Sequence, residues 1–222
     1  MGFFCTLEEE RKRTGKYQGG VRLIDEKNGA VAGCCIGVTH SERKELGRQD
    51  VHDDQEGFLV WHGTGRAQIG DETVELKPGV AIIVPAGVGH AMCCGKDSEF
   101  METIWFHSAV PSGKAPEITA KCYTQLSSLW ERGILLSEEN GCVDGCRAGI
   151  SWYESTEYSG GGSHDDQEGF FVLEGTGFAK VGDEEFPVAP GTAFIAPAHT
   201  VHTIRRDESC GHVAVFWFHS AL

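Results

Sequence analysis

The chain repeats itself at a fixed spacing, and this repeat constrains its fold more than any other feature. The segment His52–Phe58, with the sequence HDDQEGF, recurs letter for letter at residues 164–170, an offset of 112 positions. The stretches 26–110 and 138–222 align without insertion or deletion, and 36 of their 85 residue pairs are identical. The 222 residues therefore predict two domains of one fold that arose by tandem duplication.

Within each copy the apolar residues occur in short runs rich in β-branched and aromatic side chains. Examples are Phe58–Trp61, Val80–Val84 and Thr103–Phe106. Glycine and proline punctuate these runs at regular intervals, as at Gly79 and Pro85. This pattern is typical of short strands joined by tight turns, so we expect an all-β protein made of barrels or sandwiches.

The predicted domain organisation follows from the repeat boundaries. We expect an N-terminal extension at 1–20, a first barrel at 21–115, and a linker segment with a second barrel at 116–222. The stretch Val110–Pro116 has the Pro, Gly and Ser content of a linker. One helix is predicted between the repeats, at Thr124–Arg132, where Leu126 and Trp130 would share a face.

Composition excludes several classes of partner. The 33 acidic and 19 basic residues give a formal net charge of −14, which disfavours binding to nucleic acid or to an anionic membrane surface. No apolar run approaches the roughly 20 residues that a membrane-spanning helix needs. The N-terminal residues lack the pattern of an export signal, so we expect a cytoplasmic protein whose nine cysteines are reduced.

Each repeat carries the same three potential metal ligands. They are a His, a Glu four residues later and a second His 34 residues after that Glu; the two sets are His52, Glu56 and His90, and His164, Glu168 and His202. Imidazole and carboxylate are good ligands for divalent iron, manganese, nickel, copper or zinc. Because alternate residues of a strand face the same way, the first His and the Glu can both point into a barrel. We therefore predict a metal centre in each repeat.

These residues resemble two motifs of the cupin family. His52–Gly63 resembles the first motif, G(X)5HXH(X)3-4E(X)6G, in its second His, its Glu and its closing Gly. Gly79–His90 resembles the second motif, G(X)5PXG(X)2H, at all four fixed positions. The second repeat matches in the same way, except that His199 stands where the second motif has Gly. Two motifs at the correct mutual spacing, found twice, identify the chain as a member of the cupin superfamily with two cupin domains, a bicupin.

The resemblance implies two double-stranded β-helix barrels, each with a divalent metal ion, whose identity the sequence leaves open. The first His of the family's first motif is absent, because Asp50 and Gly162 stand in its place. Asp50 would supply an oxygen ligand in the first barrel, whereas Gly162 leaves that place to water or substrate. The two centres are therefore expected to differ. Further candidates for additional ligands, or for contacts just outside the ligands, are Asp54, Asp166 and His199.

His107 and His219 lie in a late apolar run next to Trp105 and Trp217. Strand alternation puts each Trp on the same face as the His that follows it two residues later. If this face lines the cavity, His107 and His219 are candidate catalytic acid–base groups; if it lies outside, they are interface or surface residues. The sequence leaves both alternatives open.

Two classes of function fit these observations. The first is a metal-dependent enzyme acting on a small polar, oxygen-bearing substrate, of the dioxygenase or the isomerase/lyase type. The second is a non-catalytic bicupin that holds a metal or a small ligand, and a third possibility divides catalysis and structure between the repeats. The duplication also suggests that the two barrels pack sheet to sheet, as cupin dimers do, and leaves a further homodimer open.

Overall fold

The computed structural model describes residues 2–116, 118 and 122–222. In the first half the elements follow the strand pattern expected from the sequence. They are β1 (Phe4–Thr6), α1 (Leu7–Thr14), β2 (Gly19–Ile24), β3 (Cys35–Ser41), β4 (Gln55–Gly63), β5 (Gly65–Ile69), β6 (Glu72–Leu76), β7 (Val80–Val84), β8 (His90–Cys94) and β9 (Met101–Ser108). A short 3-10 turn, Glu26–Asn28, separates β2 from β3.

The second half repeats this order. Its strands are β10 (Tyr123–Gln125), β11 (Gly133–Leu136), β12 (Arg147–Tyr153), β13 (Gln167–Glu174), β14 (Gly177–Val181), β15 (Glu184–Val188), β16 (Thr192–Ala196), β17 (His202–Arg206) and β18 (Val213–Ser220), with a 3-10 turn at Glu138–Asn140. Each half forms a six-stranded and a three-stranded antiparallel sheet, in the orders β10-β7-β4-β9-β3-β2 and β6-β5-β8, and β1-β16-β13-β18-β12-β11 and β15-β14-β17. The predicted all-β class with two tandem barrels is confirmed.

Two strands cross between the halves. β1 precedes the first barrel but pairs with β16 of the second, with Phe4 opposite Phe194. β10 precedes the second barrel but pairs with β7 of the first, with Tyr123 opposite Ile82. Each barrel therefore completes its large sheet with a strand that comes from outside its own repeat. The predicted domain boundary between residues 115 and 116 stays a prediction. Strand β1 lies before this boundary but pairs in the second barrel, and β10 lies after it but pairs in the first.

The helix predicted at Thr124–Arg132 is wrong. Its first two residues belong to β10 and pair with Ala81 and Val80 of β7. Trp130 has a φ of 55°, the left-handed region, which an α-helix does not contain. Its carbonyl oxygen accepts a 2.6 Å hydrogen bond from the indole of Trp152. Tertiary pairing and the burial of Trp130 therefore outweigh the local helical periodicity.

The two large sheets pack face to face and share one apolar core. Phe106 of β9 stacks on Phe218 of β18, with ring centroids 4.0 Å apart. Buried residues of both halves form a single cluster around this pair, including Ile36 and Ile150. The predicted sheet-to-sheet packing is confirmed. Because Phe106 faces this core, alternation turns its neighbours Trp105 and His107 into the first barrel.

Helix α1 was not predicted from the sequence. Thr6 caps it by accepting a hydrogen bond from the Glu9 amide, and Gly15 ends it in the left-handed conformation. Leu7 is buried in the core between the barrels, and Arg11 forms a 2.7 Å ion pair with Glu102 of β9. Its eight residues carry mostly charge, so the helix depends on these contacts. Among the described residues, no helix has the length and apolarity to span a bilayer.

Candidate metal centres

The first centre is built from three elements of the first barrel. Glu56 lies on β4, His90 begins β8, and His52 lies in the loop before β4. The Nε2 atoms of His52 and His90 each lie 2.9 Å from Oε2 of Glu56. His107, directly opposite Glu56 on β9, places its Nε2 3.4 Å from Oε1 of the same carboxylate. Three imidazole nitrogens therefore converge on one buried glutamate.

The second centre repeats this arrangement. The Nε2 atoms of His164 and His202 each lie 2.9 Å from Oε2 of Glu168. His219 lies opposite Glu168 on β18, with its Nε2 3.6 Å from Oε1. Both predicted triads are thus brought together, and each gains a third imidazole from the last strand of its barrel. For His107 and His219, the cavity alternative is the one that the structure supports.

The Nδ1 atoms, which are the outer nitrogens of these imidazoles, contact other groups. In the first barrel, Nδ1 of His107 is 3.0 Å from an oxygen of Asp54, and Nδ1 of His90 is 3.3 Å from the Val88 carbonyl oxygen. Nδ1 of His52 is 2.8 Å from Asp54, in a close contact without hydrogen-bond alignment. Such a contact holds the proton on Nδ1, so Nε2 is the nitrogen that would give up its proton to Glu56 or solvent when a metal binds.

In the second barrel the outer contacts are equivalent. Nδ1 of His219 lies 2.9 Å from an oxygen of Asp166, and that of His164 lies 3.1 Å from the Asp166 carbonyl oxygen. Nδ1 of His202 lies 2.9 Å from the Thr200 carbonyl oxygen. Asp54 and Asp166 therefore contact the Nδ1 atoms of these imidazoles, and Asp54 forms with His52 and His107 a further group of potential metal ligands.

The electrostatics of the first centre favour a bound cation. Burial alone would raise the pKa of Glu56, but hydrogen bonds from His107, His52 and His90 outweigh it and hold the pKa well below its usual range. Burial also opposes the charged form of His107, yet Asp54 and Glu56 raise its pKa to about 9. Positive charge is thus stabilised at this place, which fits a donor set for a divalent metal ion.

A cavity of about 330 Å³ opens over the first centre, a size that suits a small molecule. Its lining comprises Glu56 and the three histidines that surround it, the hydroxyl side chains Thr39, Ser41 and Thr103, and an apolar wall that includes Phe58, Met101 and Trp105. The sequence did not identify the hydroxyl residues as part of the site. The alternation of Met101, Thr103, Trp105 and His107 along β9 is the signal that would have found Thr103.

The remaining candidates lie at different distances from the centres. Asp50 lines the cavity, and its backbone pairs with that of His90. Gly162 is the counterpart of Asp50 in the second barrel, and a Cβ there would lie 3.4 Å from Nε2 of His202. By equivalence, the Cβ of Asp50 lies close to the first centre. The structure does not bring His199 to the second centre, because its side chain is 73% exposed and contacts Asp165 instead.

Comparisons with known proteins agree with this architecture. The sequence profile of the cupin domain family matches residues 39–106 and 154–219. A search of curated proteins by sequence finds no match.

Among solved structures, AerE from Microcystis aeruginosa aligns with a TM-score of 0.70 at 12% identity, over 90% of this chain and 92% of that one. Salicylate 1,2-dioxygenase from Pseudaminobacter salicylatoxidans aligns with a TM-score of 0.73 at 10% identity, over 98% and 83%. A deletion mutant of oxalate decarboxylase from Bacillus subtilis aligns with a TM-score of 0.70 at 10% identity, over 93% and 74%. At these identities the likeness shows the shared fold.

The family profile covers more than half of the chain, once in each repeat, and the two barrels and their motifs match it. The chain therefore belongs to the cupin family and carries two cupin domains in tandem.

Proposed function

We propose that the protein is a metal-dependent enzyme that binds a divalent metal ion in each barrel and acts on a small, polar, oxygen-bearing substrate. The observation that carries this proposal is the convergence of three Nε2 atoms on a buried glutamate in both repeats. The ligands would be His52, Glu56 and His90 in the first barrel, and His164, Glu168 and His202 in the second.

His107 is proposed as a fourth donor in the first barrel; its counterpart His219 is not, because its Nε2 lies 3.4 Å from Nη2 of Arg147. The family's first-motif His is replaced by Asp50 and Gly162, so the usual source of a third nitrogen, which would be the fourth donor, is missing. His107 supplies a nitrogen from a neighbouring strand, with its Nδ1 held by Asp54 and its Nε2 facing Glu56. This geometry favours a ligand over an acid–base role, one of the alternatives that the sequence left open, because a proton-transfer group needs a nitrogen that is free to exchange its proton with substrate.

A divalent metal held by such ligands would act as a Lewis acid toward substrate oxygen atoms. The chain's own residues would select and orient the substrate. Hydroxyl groups of Thr39, Ser41 and Thr103 offer hydrogen bonds on one part of the cavity wall. Phe58 and Trp105 also line the cavity and would contact apolar parts of the substrate. No Lys or Arg is found among the described residues that line this cavity. An uncharged substrate such as a diol, enol or carbonyl compound therefore suits this cavity better than a dicarboxylate.

Similar structures include proteins whose names describe a dioxygenase and a decarboxylase. Both reactions act on small oxygen-rich molecules, which supports the substrate class but does not choose the reaction. Because the fold hosts many chemistries, oxygenation and isomerase or lyase chemistry both remain within the proposal.

An exchangeable coordination position separates an enzyme from a non-catalytic metal-binding bicupin. We expect the protein loaded with Mn²⁺ to accelerate water proton relaxation strongly, since a coordinated water would exchange with solvent. The His52→Ala/His164→Ala double variant is the control and is expected to give no such enhancement after removal of free metal. Bound Mn²⁺ without enhanced relaxation would indicate a closed shell and favour the non-catalytic alternative.

A further inference from the structure

We infer that substrate binds in the first barrel alone and that Tyr153 closes the second barrel to it. This inference rests on the proposed function, because it assigns that function's substrate site to one of two similar metal centres. It is carried by two differences between the barrels, at the cavity wall and beside the last-strand imidazole.

The first difference lies at equivalent ends of β3 and β12. Ser41 pairs with Met101 in the first barrel, and Tyr153 pairs with Val213 at the same register in the second. Ser41 lines the cavity above the first centre. Strand alternation gives Tyr153 the same inward direction, so a phenol ring stands where the first barrel has a hydroxymethyl group.

Tyr153 is partly buried and packs into the second barrel. It packs against an apolar cluster that includes Phe170, Val213 and Val215. Burial, with a smaller contribution from the carboxylate of Glu168, raises the pKa of the Tyr153 hydroxyl. Val215 also replaces Thr103, whereas Ser151 stands in the place of Thr39. The second barrel therefore lacks two of the three aliphatic hydroxyl groups that line the first cavity.

The second difference concerns the imidazole of the last strand. Arg147 of β12 stands opposite His219 of β18, and its Nη2 lies 3.4 Å from Nε2 of His219. The first barrel has Cys35 at this register, opposite His107. A guanidinium is always charged and only donates hydrogen bonds. Arg147 therefore engages Nε2 of His219, whose equivalent in His107 faces Glu56, and it places a fixed positive charge beside the second centre.

Both differences make the second barrel less suited than the first to bind a substrate. The second centre keeps His164, Glu168 and His202 for a metal, but its cavity is occupied by the chain's own side chain. The first centre combines a metal site with an open cavity. The first barrel would then perform the chemistry, and the second would hold its metal as part of the structure.

A stoichiometry experiment tests this inference on the full-length protein loaded with Co²⁺, with catechol as a neutral, oxygen-chelating probe. Metal content is measured first, and catechol binding is then counted by calorimetry and by the change in the visible spectrum of Co²⁺. We expect two metal ions and one catechol per wild-type chain. Two catechols per chain would overturn the inference and leave the proposed function standing, whereas a chain that binds no metal would overturn the proposed function itself.

Two reciprocal variants identify the residues responsible. Ser41→Tyr is expected to retain two metal ions and bind no catechol, and Tyr153→Ser to retain two and bind a second catechol. Tyr17→Ser, which changes an exposed tyrosine (59% exposed), is the control and should bind one. If Ser41→Tyr fails to fold, Tyr153→Ser still decides the question. A count of one catechol in Tyr153→Ser, with two metals bound, would contradict the assignment to Tyr153.

Discussion

At the scale of single residues, the two aspartates of the HDDQEGF segment have separate surroundings. Asp54 contacts the Nδ1 atoms of both His52 and His107, whereas Asp53 is exposed to solvent. A carboxylate that binds the outer nitrogen of a metal ligand fixes the ring and increases its basicity. Asp54 and its counterpart Asp166 should therefore control how well each centre binds metal without being ligands themselves.

Replacement of Asp54 provides the corresponding prediction. Asp54→Ala should weaken metal binding at the first centre by roughly 10- to 100-fold, the usual effect of removing such a partner. The measurement is a competition titration of the metal-free protein with a chromogenic chelator. Asp53→Ala, at the neighbouring and exposed carboxylate, is the matched control and should leave the affinity unchanged. Equal affinities in the two variants would count against this role of Asp54.

The role of His107 can be separated in the same way. If His107 is a fourth donor, His107→Ala lowers the metal affinity of the first centre and leaves the second unchanged. If it is instead an acid–base group, the variant keeps its metal and loses turnover. We expect the first result, measured as metal retained per chain after dialysis against a weak chelator, with His199→Ala as a control that changes an exposed imidazole outside the centres.

Glu102 gives a prediction about pH and stability. Burial would raise its pKa, but His62, Arg11 and His40 outweigh burial and lower the pKa to about 2; Glu42 in turn contacts His40. A carboxylate with a depressed pKa stabilises the fold above its unfolded pKa and loses that contribution as the pH falls toward 2. Glu102→Gln should therefore cost at most about 3 kcal/mol of unfolding free energy at pH 7.

The cost of Glu102→Gln should shrink as the pH falls from 5 toward 2, because the native glutamate then becomes protonated as well. Urea denaturation of the wild type and the variant at several pH values measures this difference. A cost that does not change over this range would show that Glu102 stabilises the fold through packing rather than through its charge.

At the scale of elements, the barrels are joined by segments that cross between them. Strands β1 and β10 extend the sheet of the opposite barrel. Two buried glutamines, each next to the glutamate of its barrel, add a reciprocal link. Gln167 exchanges 2.9 Å hydrogen bonds with both backbone groups of Val31, and Gln55 binds the backbone of Val143 at 3.0 and 3.1 Å.

The contribution of these glutamines is measurable. Gln167→Ala removes the partners of a backbone amide and carbonyl in the other barrel, so we expect a loss of about 1–3 kcal/mol in unfolding free energy. Gln68→Ala, which removes a bond within its own turn to Gly70, is the control and should cost less. Thermal and chemical denaturation give both values. Metal content should not change in either variant, because neither side chain contacts a centre.

The elements also show where reasoning from sequence succeeds. The strands around the motifs were predictable because apolar runs, glycines and prolines repeat in both halves. The helix at Thr124–Arg132 and the crossing of β1 and β10 were not, because both depend on pairing with residues far away in sequence. Helix α1 carries little apolar periodicity, and Arg11 reaches its partner Glu102 only in the folded chain.

At the scale of the whole molecule, duplication supplied two similar centres and later substitutions made them different. The triads His52, Glu56, His90 and His164, Glu168, His202 were identifiable because duplication preserved their spacing. The position of the third imidazole of each centre, inside the barrel or outside it, was left open, since strand alternation does not say which face lies inside. The effects of Tyr153 and Arg147 depend on which residues they meet across the barrel, so the sequence alone did not reveal them.

The central claim is that both triads bind metal, and the metal content of the native protein tests it most directly. The protein should be purified without tags, chelators or added metal, and its metal atoms per chain counted by mass spectrometry. We predict about two atoms of a divalent transition metal per chain, about one in His52→Ala or His164→Ala, and none in the folded double variant. No metal in the wild type, with none taken up on reconstitution, or two atoms in the double variant, would contradict the assignment.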